Sequence, residues 1–166
     1  ETSLDECAEG KTEYVGLISD FYEDLEEYIQ KNPDTKLIII DVLKKVWKSK
    51  RSNQSDDEYI YETLTPLKSF AKEHNLAIVA LMHNRKYVDP DDPCSNICGS
   101  GAYMAVADET IVIWKNKRSD RSAHLFITGR TVTQEEYCIN FNKDTYIWEM
   151  IGTADDIEDL NRKMIY

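Results

Sequence analysis

The sequence predicts an α/β fold in which central parallel strands are flanked by helices and followed by an antiparallel β extension. Two observations predict it. Leu37-Ile38-Ile39-Ile40 and Leu76–Met82 are short apolar runs bounded by polar and turn residues, the form of strands buried on both faces; a helical pattern separates them, as a parallel crossover requires. From Ala123 onward the runs give way to partial alternation, which is how antiparallel strands read.

In chain order, Tyr14, Ile18, Phe21, Leu25, Tyr28 and Ile29 recur at the spacing of one helix face, with Glu23, Asp24, Glu26 and Glu27 on much of the rest, so a helix is expected from Tyr14 to Lys31. Asn32-Pro33-Asp34 stops it, and the strand Leu37–Ile40 follows, ending in Asp41. After a polar loop to Asp57, Ile60, Leu64, Leu67 and Ala71 mark a helix from Glu58 to His74. Pro66 either kinks it or opens a second helix capped by Thr65. Leu76–Met82 is the next strand and ends at His83. Asn84 to Gly101 reads as a long loop with two prolines and two glycines, of the sort that carries function. Helical turns over Ala102–Ala107, a third buried strand at Glu109–Trp114, and strands at Ala123–Thr128, Glu136–Asn142 and Tyr146–Met150 complete the body. Asn142-Lys143-Asp144 is a tight turn between the last two, and Ala154–Met164 reads as a terminal helix capped by Thr153.

A chain of 166 residues with 42% hydrophobic content suits one domain with a real core. The expectation is a single domain over 1–166, with a parallel core at 36–115, the antiparallel extension at 123–150 and the terminal helix at 154–164. No stretch reaches the roughly 20 apolar residues that span a bilayer, and Glu1 to Gly10 is acidic rather than an export signal, which points to a soluble cytoplasmic protein without membrane contact. Twenty basic against thirty-one acidic residues give a net charge of −11, so the molecule as a whole repels a phosphate backbone and any DNA contact has to be local. The candidates are Lys44, Lys45, Lys48, Lys50 and Arg51 around Trp47, and Arg85 with Lys86; the plain alternative for each is a solvated face. Four scattered cysteines do not make a disulfide scaffold, and the C-x3-C of Cys94 and Cys98 lacks a second ligand pair for zinc.

Four apolar residues and an aspartate at a strand's carboxyl end have the form of a Walker B element, because ligands of open α/β sheets bind beyond that edge. Many buried strands also end in Asp for turn or capping reasons. The second strand ends at the same edge with His83-Asn84-Arg85-Lys86. Taken with Lys36–Asp41, with Gly99-Ser100-Gly101-Ala102 leading to Ala107-Asp108, and with Leu125-Phe126-Ile127-Thr128-Gly129-Arg130, these segments resemble consecutive motifs of RecA-like ATPases of the plasmid RepA and DnaB-type helicase group. The likeness runs in order over about Asp34 to Glu149.

The resemblance implies a RecA-like three-layer sandwich. It also implies that Asp41 is the acid that holds magnesium, His83 the sensor of the γ-phosphate, and Arg130 an arginine finger reaching the nucleotide of a neighbouring subunit in a homo-oligomeric ring. Arg85, Lys86, Ser100 and Gly101 would then belong to a DNA-facing loop. Each has a plainer reading: His83 as a satisfied strand-end histidine, Arg130 as an edge-strand arginine, Gly99-Ser100-Gly101 as a turn into a helix.

The chain departs from that family in its first part. Phosphates are cradled by G-x-x-x-x-G-K-[ST] between a strand and a helix, and Gly10-Lys11-Thr12 has Asp5 where the first glycine belongs. The spacing to Asp41 leaves no room for the strand that carries the relatives' catalytic glutamate. The sequence therefore implies an incomplete N-terminal part, with ATP and magnesium as ligands of the complete enzyme and neither held tightly by this chain. Three functions remain open: a fragment of a DNA-dependent motor of a mobile element, a non-enzymatic nucleic-acid- or protein-binding module with the same fold, and an unrelated α/β domain.

Overall fold

Two parallel strands and two helices organise the first of two compact units, Glu1–Met82 and His83–Tyr166, into which the chain divides. The computed structural model describes residues 4–6, 12–14, 20–47, 49–85, 89, 92–97, 101–117 and 119–153. In the first unit, β1 (Leu4–Glu6) pairs antiparallel with β2 (Thr12–Tyr14). Helix α1 (Phe21–Lys31) begins at Phe21 after the N-cap Asp20, not at Tyr14 as expected, and the backbone of Thr12–Tyr14 is committed to β1. Glu23 and Asp24 in its first turn and Lys31 in its last complement the helix dipole. It ends where Asn32 folds back, its backbone N–H donating to the carbonyls of Tyr28 and Ile29 and its side-chain amide donating to Tyr28 O at 3.1 Å.

Helix α2 (Asp56–Glu73) starts two residues before the expected position because Ser55 and Glu58 form a capping box. The Glu58 N–H donates to Ser55 Oγ at 3.1 Å and the Ser55 N–H to Glu58 Oε2 at 3.0 Å. That second bond, the larger cause, and the Ser55 hydroxyl hold the Glu58 carboxyl below the usual range. The helix passes through Pro66 as one element, burying Ile60, Leu67 and Phe70. Asn75 follows it at φ 52°, a left-handed position that asparagine tolerates at a helix end. Across the two helices the Tyr22 and Phe70 rings lie 6.4 Å apart, and His74 Nε2 meets Glu26 Oε2 at 2.9 Å.

β3 (Leu37–Ile40) and β4 (Ala77–Ala80) pair in parallel, Leu37 opposite Ala77 and Ile40 opposite Ala80, and α2 packs against β4. Both were expected to be buried on both faces. Only one face is covered: Ile40 is buried and Ile38 and Ile78 half-buried, whereas Leu37, Ile39 and Val79 on the other face are 50%, 62% and 48% exposed. The apolar runs encode a two-sided layer, and the described residues supply one side.

The second unit holds β5 (Glu109–Trp114), β6 (Ser122–Gly129), β7 (Glu135–Asn142) and β8 (Ile147–Thr153) in one antiparallel sheet, in that order. The antiparallel region thus begins at Glu109 rather than Ala123. β5, expected as a third parallel strand of a 36–115 core, pairs Glu109 with Gly129 and Trp114 with His124, and the parallel pairing among the described residues is confined to β3 and β4. The short connection from Lys115 to Arg121 allows a hairpin, whereas a parallel neighbour needs a crossover of a dozen residues or more. Val112, Trp114 and Phe126 form the buried face, with Cys94 and Ile97 packed on it, while Ile111 and Ile113 on the opposite face are exposed. A three-layer RecA-like sandwich is therefore a coarser α/β arrangement here: a parallel pair and an antiparallel four-stranded sheet.

Before β5, the loop from Asn84 contains a 3-10 turn at Pro93–Asn96, and α3 (Ala102–Val106) takes the place of the expected helical turns. Between β7 and β8, Asn142 Oδ1 accepts from the N–H groups of Asp144 and Thr145, the tight turn read from the sequence. The terminal helix expected over 154–164 lies outside the described residues, as do Lys86 and Ser100. Among the described residues no helix is long and apolar enough to cross a membrane.

Candidate functional site

The parallel pair determines where the leading candidate sits. Leu81 N–H donates to Ile40 O, and Leu43 N–H donates to Leu81 O, both at 2.9 Å, so the two strands end together and the chain turns at Asp41 to lie along the end of β4. Asp41 is the first residue past β3 at that carboxyl edge, and its side chain is exposed. β4 ends at the same edge, and His83, three residues later, opens the second unit and is also exposed. Asp41 and His83 thus fall in different units.

The candidates of the second unit are held by local bonds. Arg85 N–H donates to Asn96 O at 2.8 Å, and Asn84 Nδ2 donates to the carbonyl of Ile113 at 2.8 Å, tying the segment after His83 to β5. Asn96, 1% exposed, organises this loop: its amide donates to Asp89 O at 2.9 Å and its Oδ1 accepts from Asp89 N–H at 2.6 Å. Gly101 stands at the N-terminus of α3. Arg130 donates through Nη1 to Asp108 Oδ1 at 2.8 Å and through Nη2 to Ala105 O at 2.7 Å, while its backbone N–H reaches Asp108 O at 2.8 Å. Gly129 permits this approach. A Cβ there would lie 2.5 Å from Asp108 O and 2.8 Å from Glu109 Cα, so no side chain fits between the end of β6 and the start of β5.

The basic run after Asp41 is partly neutralised. Lys50 pairs with Asp56 at 2.6 Å, and Arg51 pairs with Glu62 at 2.7 Å beside the buried Gln54, whose amide donates to the other Glu62 oxygen at 2.8 Å. Arg51, Gln54 and Glu62 border a cleft of about 430 Å³ with Leu43, Val46 and Trp47 on its wall. Lys44 and Lys45 are exposed on the 3-10 turn Leu43–Lys45.

Sequence reasoning passed over a polar cluster on the buried face of the antiparallel sheet. His124 stacks on Trp114 at 4.9 Å with an interplanar angle of 9°, meets Glu136 Oε1 through Nδ1 at 2.7 Å and Asn116 Nδ2 through Nε2 at 3.1 Å. Cys138 lies opposite His124 in the register. Burial, then the Glu136 charge, raises its thiol, so it is a poor nucleophile at neutral pH. The signal lay in register, since a strand alternation by itself does not say which residues of separate strands stand opposite one another.

Magnesium bound with a nucleotide commonly takes one or two carboxylates and completes its shell with phosphates and water. Asp41 fits that limited share: an exposed carboxylate at the strand edge could supply one ligand. Among the described residues no group of three or more His, Cys, Asp or Glu side chains is placed to hold an ion without such help. For the phosphates themselves, Thr12 of the Gly10-Lys11-Thr12 segment belongs to β2, a strand, where a phosphate cradle requires the start of a helix.

Residues 8–88 match the family model described as an AAA domain. The match covers just under half of the chain and supports a P-loop ATPase-like family in general. It spans the parallel pair, Asp41, His83, Arg85 and Lys86; Ser100, Gly101 and Arg130 lie beyond it. No curated protein matches the chain.

Proposed function

We propose that this chain is part of a RecA-like, DNA-dependent ATPase of the kind that drives plasmid or mobile-element replication, and that it is silent as an ATPase by itself. The observation that carries this reading is the parallel β3–β4 pair, with Asp41 at its carboxyl edge, inside the stretch that matches an AAA domain. In the complete enzyme, Asp41 would be the Walker B acid that helps to hold a magnesium ion, and such an ion would supply positive charge for the phosphoryl group. His83 senses the γ-phosphate and passes its state to the loop of Arg85, Lys86, Ser100 and Gly101. Arg130 acts across a ring interface in a cytoplasmic homo-oligomer. To do so it leaves both Asp108 and the Ala105 carbonyl; the ion-pair partners are more than half exposed, at 53% and 57%, so breaking that pair itself costs only about 0–1 kcal/mol. The chain lacks G-x-x-x-x-G-K-[ST], so a P-loop-bearing segment has to supply the phosphate cradle.

The experiment compares the purified 166-residue protein with a longer polypeptide carrying a P-loop segment ahead of it, using MgATP calorimetry and phosphate release. The expected result is neither tight binding nor turnover by the short chain, and turnover by the longer one that Asp41→Asn reduces at least about a hundredfold. Turnover by the short chain, or a longer polypeptide that binds no nucleotide, overturns the reading. A second reading, a non-enzymatic nucleic-acid- or protein-binding module, is favoured by the engagement of Arg130 with Asp108 and Ala105 within its own unit. It is distinguished by DNA binding that is indifferent to nucleotide in both polypeptides.

A further inference from the structure

In the antiparallel sheet β5 and β7 run towards the same end, so the β5–β6 and β7–β8 hairpins stand side by side there; Phe141 N–H donates to Arg121 O at 3.1 Å and joins them. This end concentrates cations. Lys115, Lys117 and Arg121 on one hairpin and Lys143 on the other are all exposed, and none forms an ion pair with a described residue. Of the three carboxylates nearby, Asp120 accepts the Lys117 N–H at 2.9 Å and Glu149 accepts from Asn142 Nδ2 at 2.8 Å; Asp144 is the third. Among the described residues, four cations against three carboxylates leave a local excess of one positive charge in a chain of net charge −11.

Aromatic rings stand among these cations. Tyr146, at the tip of the second hairpin, is 79% exposed, and Trp148 at the start of β8 is 41% exposed. Both contact Phe141, with ring centroids at 6.3 and 5.3 Å, and Lys115 Nζ lies 5.2 Å from the centre of the Trp148 ring. A tyrosine placed so far into water, at φ 58°, contributes little to a core. Exposed rings interleaved with unpaired cations are what a single-stranded nucleic acid uses: phosphates track the positive charge and unstacked bases lie on the rings. A duplex offers its bases only at groove edges and does not use the rings.

We propose that this double-hairpin end is a docking surface for single-stranded DNA, with Trp148 and Tyr146 as the stacking platform and Lys115, Lys117, Arg121 and Lys143 as the phosphate contacts. The choice of DNA over RNA rests on the function proposed above; the surface itself does not. The test is fluorescence anisotropy of a labelled oligo-dT of about 15 nucleotides, within the usual range of site sizes, titrated with the full chain in the absence of nucleotide at several salt concentrations. Binding is expected to weaken with salt. Lys117→Gln and Lys143→Gln should each flatten the slope of log K against log salt by about 0.7. Trp148→Ala should weaken binding about tenfold or more while Trp148→Phe retains most of it. The two lysine variants lie on exposed turns, so they report even where Trp148→Ala perturbs the fold. No binding at low salt overturns the proposal, as does binding indifferent to all three positions or equal affinity for a duplex of the same length. Tighter binding of oligo-U overturns the assignment to DNA. Because nucleotide is absent, failure here leaves the ATPase reading standing, and failure of ATP turnover leaves this surface standing.

Discussion

Replacing Gly129 by alanine tests the packing of the antiparallel sheet with a control built into the same unit. The added methyl would sit 2.5 Å from the Asp108 carbonyl oxygen and 2.8 Å from Glu109 Cα, both backbone atoms, so relief requires the β5–β6 ladder to move at Glu109 opposite Gly129. Overpacking of this kind costs about 1–3 kcal/mol, and a clash with two backbone atoms belongs at the upper end. Gly101 has nothing within 4 Å of its would-be Cβ and sits at φ −55°, ψ −9°, a conformation alanine shares. Gly101→Ala should therefore be neutral or stabilising by up to about 1 kcal/mol. The measurement is the urea midpoint and slope of each variant, with amide exchange of β5 and β6 as the local readout. The expected pattern is a lowered midpoint and faster exchange for Gly129→Ala alone. Equal stability of the two variants would refute the reasoning, since the backbone at Gly129 would then have room the geometry denies it.

Ser55→Ala removes the hydroxyl that caps α2 and should cost about 1 kcal/mol, a fall of roughly 2–4 °C in the melting midpoint. The Glu58 carboxyl is held below its usual range, so its half of the capping box is present above pH 4.5, the ordinary value, and is lost as pH falls through the lowered folded value; the difference between wild type and Ser55→Ala should shrink there. Burial pushes the Tyr22 hydroxyl up to about 12 from 10.0. The folded state favours the neutral phenol, so its contribution is full below pH 10 and is lost as pH rises towards 12. Burial raises the Tyr59 hydroxyl as well, so tyrosine absorbance titration should show late components of which Tyr22→Phe deletes the one near pH 12, and an unchanged late amplitude in that variant would disprove the assignment.

The elements with strong local signals were legible in the sequence. Leu37–Ile40, Ala77–Ala80 and the run of strands after Ser122 declare themselves by apolar runs or alternation, and Asn142 marks its turn by the side chain that accepts two backbone N–H groups. Ser55-x-x-Glu58 was present as a start signal but is two residues ahead of the apolar periodicity that set the expected boundary. What periodicity does not carry is partnership. The run Glu109–Trp114 reads the same whether its neighbour is parallel or antiparallel, and the short hairpin to β6 decides. For the site, Asp41 was placed at a strand end from sequence alone and occupies one. The partners of Arg130 were not foreseen, because Asp108 and Ala105 stand more than twenty residues earlier and only the close approach at Gly129 brings them there.

The half-covered β3–β4 pair also governs how the protein must be handled. Each strand has a neighbour on one side only among the described residues, and Leu37-Ile38-Ile39-Ile40 combines β-branched side chains with a bare edge, the makings of intermolecular strand addition. At neutral pH mutual repulsion between molecules of charge −11 opposes such growth. Acidification discharges the carboxylates and removes that barrier, so turbidity in mild acid should begin at this hairpin-free pair of strands, and a lysine in place of Ile39 should delay it.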